Sequence, residues 1–132
     1  MIKRGVYAAS LSVLNKDLTL NVEATISHGE KLIKNGCTGV FFMGSTGQAQ
    51  LCSVESKKEL ISKIALHKLR KQFFIGLGVN SLSESISLIK YANEYEINKE
   101  ILIGAPAYYR NNTDQGVFQF FQRIISECPK VK

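Results

Sequence analysis

The chain has 132 residues, of which 45% are hydrophobic and 21% are charged, and its formal net charge is +6. This length and balance are typical of one globular domain, and they exclude a collagen-like, low-complexity or disordered chain. The longest apolar runs are far shorter than the roughly 18 residues of a membrane-spanning helix, and the N-terminal residues lack the apolar core of a signal peptide. We therefore predict a single domain over residues 1–132 with a cytoplasmic location and no membrane partner.

The cysteine and histidine pattern indicates neither a disulfide framework nor a metal site. Cys37, Cys52 and Cys128 are odd in number and lack the C-x-x-C spacing of a zinc site. His28 and His67 both fall in predicted helices, so that no histidine lies at a strand end beside a thiol. We therefore predict no metal, no cofactor and no catalytic cysteine.

Four short apolar runs divide the chain. They are "GVYAAS", "GVFFM", "QFFIGLGV" and "EILIGAP", and the segments between them have helical periodicity. Strands that are apolar on both faces and are joined by helices predict a parallel sheet with right-handed crossovers. Two architectures fit this alternation, which are a doubly wound open sheet and a segment of a (β/α)₈ barrel.

Each intervening segment carries the start and stop signals of a helix. The first helix is predicted to end at Gly36, and the next three are predicted to begin at Ser53, Ser81 and Thr113. The predicted buried positions are, in chain order, Val22, Ile26, Gly29, Leu32 and Ile33; Leu60, Ile61 and Ile64; Ile86, Leu88, Ile89 and Ala92; Val117, Phe120, Phe121, Ile124 and Ile125.

Much of the positive charge lies in the second helix and the residues that follow it. Its basic residues are Lys57, Lys58, Lys63, Lys68, Arg70 and Lys71. The segment lacks the interleaved aromatic residues of a single-strand binder and the turn of a helix-turn-helix motif. We therefore predict a solvated helix face and no nucleic-acid partner.

The turn after the second strand, in "GVFFMGSTGQAQ", is the best candidate for a binding site. In one interpretation Gly44 and Gly47 only let the chain turn, and the hydroxyls of Ser45 and Thr46 satisfy loose backbone groups. In the other, these hydroxyls and nearby N–H groups form a cradle for a small carboxylate. The sequence lacks a G-x-G-x-x-G turn after the first strand, and no G-K-[ST] follows Gly47, so that dinucleotide and phosphate-loop sites are not indicated.

Four segments in chain order resemble one family. "RGVYAASLSVLNKD", "GVFFMGSTGQAQLCSVESKKEL", "GLGVNSLSESISL" and "GAPAYYRN" are similar to segments of the dihydrodipicolinate synthase and N-acetylneuraminate lyase family of pyruvate-dependent class I aldolases. The resemblance covers nearly the whole chain. It implies that the four βα units are the N-terminal half of a TIM barrel, a (β/α)₄ piece of (β/α)₈.

The resemblance also implies roles for individual residues. Thr46 and Gly47 would bind the carboxylate of pyruvate, and Ser45 and Tyr108 would belong to a proton relay, in which the tyrosine comes from a neighbouring subunit in many members. The alternative for Tyr108 is an aromatic side chain packed at a barrel rim or interface. Three positions depart from the family pattern, namely Gln48 in place of Glu, Ser12–Val13 in place of Thr-Pro and Ala107 in place of an aromatic residue.

The family's Schiff-base lysine on strand six and its tyrosine after strand five have no counterpart in this sequence. Lys3, Lys71 and Lys99 precede predicted strands and so lie at the opposite end of the sheet from the site, and Lys16 is a solvated loop residue. We therefore predict half of a lyase that joins or cleaves pyruvate and an aldehyde, inactive alone, with a homo-oligomer or a complementary half-barrel chain as its partner. The alternative is a non-catalytic carboxylate-binding or assembly module.

Overall fold

The computed structural model describes residues 3–97, 101–108 and 110–130. In this part of the chain four strands alternate with four α-helices. In chain order they are β1 (Tyr7–Ala9), α1 (Val22–Lys34), β2 (Gly39–Phe42), α2 (Val54–Ala65), β3 (Phe73–Gly76), α3 (Leu82–Glu94), β4 (Ile101–Leu102) and α4 (Asp114–Glu127). Lys99 falls outside the described residues.

The strands form one parallel sheet in the order β1-β2-β3-β4. Each strand is hydrogen-bonded to the strand of the next βα unit, and β1 and β4 have one neighbour each among the described strands. The predicted alternation of parallel strands and helices is confirmed. Because the strands are parallel, all of their carboxyl ends lie at the same end of the sheet, where a binding site is expected.

The core lies between one face of the sheet and the helices. The rings of Phe42 on β2 and Phe73 on β3 pack edge to face, with their centroids 5.1 Å apart. Leu60, Ile61 and Ile64 of α2 are buried in the same core cluster, as the apolar spacing of the helix predicts. The other fully buried helical residues include Leu88, Ile89 and Ala92 of α3 and Ile124 of α4.

The helix starts agree with the predicted caps. The side-chain oxygens of Ser53, Ser81 and Thr113 each accept a hydrogen bond from the backbone N–H three residues further on, at 3.1, 3.3 and 3.1 Å. Such bonds satisfy N–H groups that have no partner inside the helix. Helix α1 ends at Lys34, and Gly36 after it has a positive φ of 101°, as predicted for its exit.

Three predictions for single residues of the helical segments are wrong. Ile125 is 59% exposed, because α4 packs on α3 and its far side has no neighbour in the part of the chain that the structure describes. His67 lies beyond the end of α2 in a turn, where its Nε2 atom is 3.2 Å from a carboxylate oxygen of Glu30. The third is the predicted solvent exposure of Lys57.

Lys57 is not part of a solvated helix face. Its side chain is only 2% exposed, whereas Lys63 and Lys68 on the same segment are half or more exposed and pair with acidic residues of α1. The reason is its position, since it precedes Leu60, Ile61 and Ile64 by three, four and seven residues. It therefore lies on the buried stripe of α2.

Candidate functional site

The candidate turn follows Met43, the first residue after β2. Met43 is buried and has a φ of 57°, a left-handed conformation that is uncommon for a residue other than glycine. The turn itself is closed by two backbone hydrogen bonds, from the N–H of Gln48 to the carbonyl of Ser45 at 3.0 Å and from that of Ala49 to the carbonyl of Gly44 at 3.3 Å. These two backbone bonds therefore close the turn from within.

The side chains of Ser45 and Thr46 are exposed, and neither hydroxyl makes a hydrogen bond within the described residues. The interpretation in which these hydroxyls satisfy backbone groups of the turn is therefore not what the described residues show. Two hydroxyl groups remain available for a ligand at the carboxyl end of β2. The carboxylate-binding role of the turn stays a prediction.

The segment after β1 fixes the turn from the other side. The hydroxyl of Ser12 donates a hydrogen bond to the carbonyl of Gly47, and the backbone N–H of Ser10 donates to the carbonyl of Phe41 at 2.9 Å. A Cβ atom at Gly47 would lie only 3.0 Å from the carbonyl oxygen of Ser10. Glycine at 47 therefore permits the close approach, and Ser12 is a positioning residue that the sequence marked only as a departure from Thr-Pro.

Ser45 lines an open cavity of about 610 Å³ at the carboxyl ends of the strands, which we call the strand-end cavity. Its walls come from the ends of three strands and include Met43, Gly76, Gly78 and Leu102. Thr46 and Gly47 lie in the same turn but outside this lining. No lysine lines the strand-end cavity, and the described residues hold no group of three or more His, Cys, Asp or Glu side chains that could bind a metal.

Tyr108 lies elsewhere at the same end of the sheet. It is 73% exposed in the segment after β4, and the neighbouring N–H of Ala107 donates a hydrogen bond of 3.0 Å to the side chain of Asn80. Tyr108 lines a second cavity, of about 490 Å³, which we call the helix-end cavity. Within one chain the structure therefore places Ser45 and Tyr108 in neighbouring cavities, and the relay role of Tyr108 stays a prediction.

The helix-end cavity lies between the N-terminal ends of α2 and α3. Its lining includes Ser53, Lys57, Ser81 and Glu84, and Gln50 and Gly78 form a wall that it shares with the strand-end cavity. Burial lowers the pKa of the Lys57 ammonium, an effect that the charges of Cys52 and Glu84 partly offset. The prediction of a solvated helix face is wrong for this lysine, although its spacing to the buried residues of α2 is the signal that could have placed it here.

The dihydrodipicolinate synthetase family model matches residues 3–131. The chain belongs to this family. Two curated family relatives are 4-hydroxy-tetrahydrodipicolinate synthases: that of Methanothrix thermoacetophila is 28% identical over 130 residues, and that of Herminiimonas arsenicoxydans is 30% identical over 123 residues. The chain spans 43% and 41% of their lengths, while 97% and 92% of the chain is covered.

Solved structures of the family have the same fold. Dihydrodipicolinate synthase from Agrobacterium tumefaciens superposes with a TM-score of 0.80 at 26% identity, over 96% of this chain and 44% of its own. A pyruvate complex of a Sulfolobus solfataricus 2-keto-3-deoxygluconate aldolase variant gives 0.82 at 23% identity, over 96% and 42%. Proteus mirabilis N-acetylneuraminate lyase gives 0.83 at 21%, over 98% and 44%. The predicted half barrel is confirmed, since four βα units match less than half of each neighbour.

No helix within the described ranges has both the length and the apolar character that a transmembrane segment requires.

Proposed function

We propose that this chain supplies the N-terminal half of a lyase site that condenses or cleaves pyruvate with an aldehyde through a Schiff base. The observation that carries the proposal is the turn itself. In a member of this family, two exposed hydroxyls that have no hydrogen-bond partner among the described residues lie at the carboxyl end of β2, where barrel enzymes bind their substrates.

The proposed roles follow the chemistry of the groups. The hydroxyl of Thr46 and the N–H of Gly47 would donate hydrogen bonds to the carboxylate of pyruvate. Ser45 would pass a proton together with Tyr108 of a second subunit. The Tyr108 of the same chain lines the helix-end cavity and not the cavity that Ser45 lines. Donors fixed by the backbone bonds of the turn need little reorganisation when charge develops on the substrate.

The turn is tested by titrating ¹⁵N-labelled chain with pyruvate and following the amide signals of residues 44–48. We expect saturable shifts with a dissociation constant in the millimolar range, about 1–10 mM, and their loss in Thr46→Val. Thr19→Val, which removes another exposed hydroxyl at the same end of the sheet, should retain them. The absence of these shifts in the unmodified chain would refute the cradle.

The covalent step is tested with borohydride, which reduces an imine to a stable amine. Since no lysine lines the strand-end cavity, we expect no pyruvyl mass on the isolated chain. Adding a polypeptide that supplies strands five to eight should yield one adduct, located on that polypeptide. An adduct on the isolated chain would contradict the proposal, and peptide mapping would identify the lysine.

The second candidate is a non-catalytic carboxylate-binding or assembly module. The observation that favours it is that the turn and its cavity are formed without any lysine. This candidate predicts the same pyruvate titration but no adduct after the complementary half has been added. Under either candidate we propose a cytoplasmic protein that forms a homo-oligomer or pairs with a complementary half barrel.

A further inference from the structure

One surface carries the whole net charge of the chain. It consists of the segment before β1, the end of α1 with the loop to β2, and the loop from α2 to β3, which are residues 3–6, 30–38 and 66–72 and which we call the basic loop surface. The rest of the chain is neutral, because its ten basic and ten acidic residues cancel. The basic loop surface holds seven basic residues and one acidic residue, which are Lys3, Arg4, Lys31, Lys34, Lys68, Arg70, Lys71 and Glu30, so that its formal charge is +6.

The three segments lie side by side at the amino ends of the strands. The backbone N–H of Thr38 donates a hydrogen bond of 2.8 Å to the carbonyl of Val6, and the side-chain amide of Gln72 donates one of 3.0 Å to the carbonyl of Thr38. The loop before β2 is thus bonded to the segments on both of its sides. The basic residues therefore share one end of the sheet, opposite to the candidate turn.

Little of this positive charge is neutralised within the chain. All seven basic residues are exposed, and among the described residues only Lys68 forms an ion pair, with 3.7 Å between its ammonium and a carboxylate oxygen of Glu30. The carboxyl-terminal ends of α1 and α2 together contribute about −1 charge, which leaves a surplus of about +5. A partner with several negative charges is therefore favoured at this end of the sheet.

Two exposed apolar residues narrow the kind of partner. Leu66 is 85% exposed directly after α2, and Val6 is 69% exposed before β1. The three segments contain no Phe, Tyr or Trp, so that the bases of a single-stranded nucleic acid have no ring to stack on. Val6 and Leu66 come from separate loops and not from one amphipathic helix, the element that commonly inserts into a membrane surface. A polypeptide that carries both carboxylates and apolar side chains matches the charges and the two apolar residues together.

We propose that the basic loop surface binds an acidic polypeptide segment, whose carboxylates face the Lys and Arg side chains and whose apolar residues contact Leu66 and Val6. Complementary charge raises the association rate and selects the partner, and the burial of apolar side chains adds affinity. The proposal does not depend on the function proposed above, since this surface and the candidate turn lie at opposite ends of the sheet.

The test is a titration of the full chain into a fluorescently labelled peptide in which single leucines alternate with pairs of glutamates, followed by fluorescence anisotropy. We expect a dissociation constant of about 10–100 µM at low salt and weaker binding as salt is added. A double variant with Lys34→Glu and Lys71→Glu should bind at least about tenfold more weakly. The matched control combines Lys16→Glu with Arg110→Glu, which changes the net charge equally at exposed residues in the loops after β1 and β4. This control should bind the peptide more tightly than the first double variant does.

A second measurement keeps the proposal testable if the charge reversals do not fold. Leu66→Ser leaves the charge unchanged and should weaken the binding of the leucine-containing peptide by about threefold or more, but not that of the same peptide with glycine in place of leucine. Equal binding by the two double variants, or by Leu66→Ser and the unmodified chain, would overturn the proposal. Tighter binding of single-stranded DNA or of anionic lipid vesicles than of the peptide would overturn it as well, because the surface would then fit a nucleic acid or a membrane better.

Discussion

At the scale of single residues, Gly76 decides how closely β3 can approach the end of β2. A Cβ atom at this position would lie 2.4 Å from the carbonyl oxygen of Met43, a backbone atom that cannot move aside without disturbing the turn. Met43 already has a left-handed backbone, which is a second local constraint at the same point. The wall of the strand-end cavity therefore requires glycine at position 76, because any side chain there would displace the Met43 carbonyl.

We predict that Gly76→Ala lowers the free energy of unfolding by about 1–3 kcal/mol, because the added methyl group forces a backbone shift. Gly104→Ala is the matched control, since a Cβ atom there meets nothing within 4 Å and the effect should stay within about 0.5 kcal/mol. Urea denaturation followed by circular dichroism measures both. Equal stabilities of the two variants would show that the backbone around Met43 is not tightly packed.

Lys57 shows what residue-level sequence reasoning can and cannot give. Its spacing to Leu60, Ile61 and Ile64 predicts a place on the buried stripe, yet its charge predicts solvent. The position decides, because helix geometry fixes which face a residue occupies. What the sequence could not give is the cavity beside it, which forms only when α3 packs next to α2.

At the scale of elements, the helix starts could be predicted because a cap is local. Ser53, Ser81 and Thr113 each bond to a residue three positions away, so that a short window of sequence contains the whole interaction. The exposure of Ile125 could not be predicted in this way. Its periodicity is that of a buried residue, and only the arrangement of neighbouring elements shows that this side of α4 is uncovered.

Helices α3 and α4 are linked by an ion pair that can be titrated. The ammonium of Lys90 lies 3.1 Å from one carboxylate oxygen of Glu127, and the guanidinium of Arg123 lies 3.1 Å from the other. The hydrogen bond and charge of Lys90, followed by the charge of Arg123, lower the pKa of Glu127 below its ordinary value of 4.5. Because the folded-state pKa is the lower one, the pair stabilises the fold above pH 4.5 and its contribution is lost as the pH falls through the lowered pKa.

We predict that Lys90→Met raises the pKa of Glu127 toward 4.5, and that Arg123→Met raises it less, because Lys90 is the larger cause. Titration of the side-chain carboxyl carbon by NMR measures the shift directly. Added salt should reduce it in the unmodified chain, since the pair is exposed to solvent. A pKa that is unchanged in Lys90→Met would mean that the pair does not form in solution.

At the scale of the whole molecule, the half barrel leaves apolar surface uncovered. Leu102 on β4 is 50% exposed, and Phe118 and Ile125, seven residues apart on α4, are each 59% exposed. The edges of β1 and β4 have no strand beside them within the described ranges. Edges and apolar faces of this kind favour association with another chain.

We predict a homodimer or larger species of the isolated chain at micromolar concentration, measured by sedimentation velocity. Phe118→Glu should shift the population toward monomer if the uncovered face of α4 associates, whereas Tyr108→Ala should do so if the segment after β4 makes the contact. Leu66→Glu, at an 85% exposed position beyond the end of α2, is the control. A monomer with a sharp melting transition would contradict the prediction.

The stepwise order of the sheet has a consequence for how the chain folds. Each strand pairs with the strand of the next unit, so that every strand pairing joins residues roughly thirty positions apart, a loop whose closure entropy is moderate. No pairing among the described strands requires a segment from a later, more distant unit of the chain. A polypeptide emerging from the ribosome can therefore order one βα unit against the last, which is how a part of a closed barrel can reach its own shape before the ring is complete.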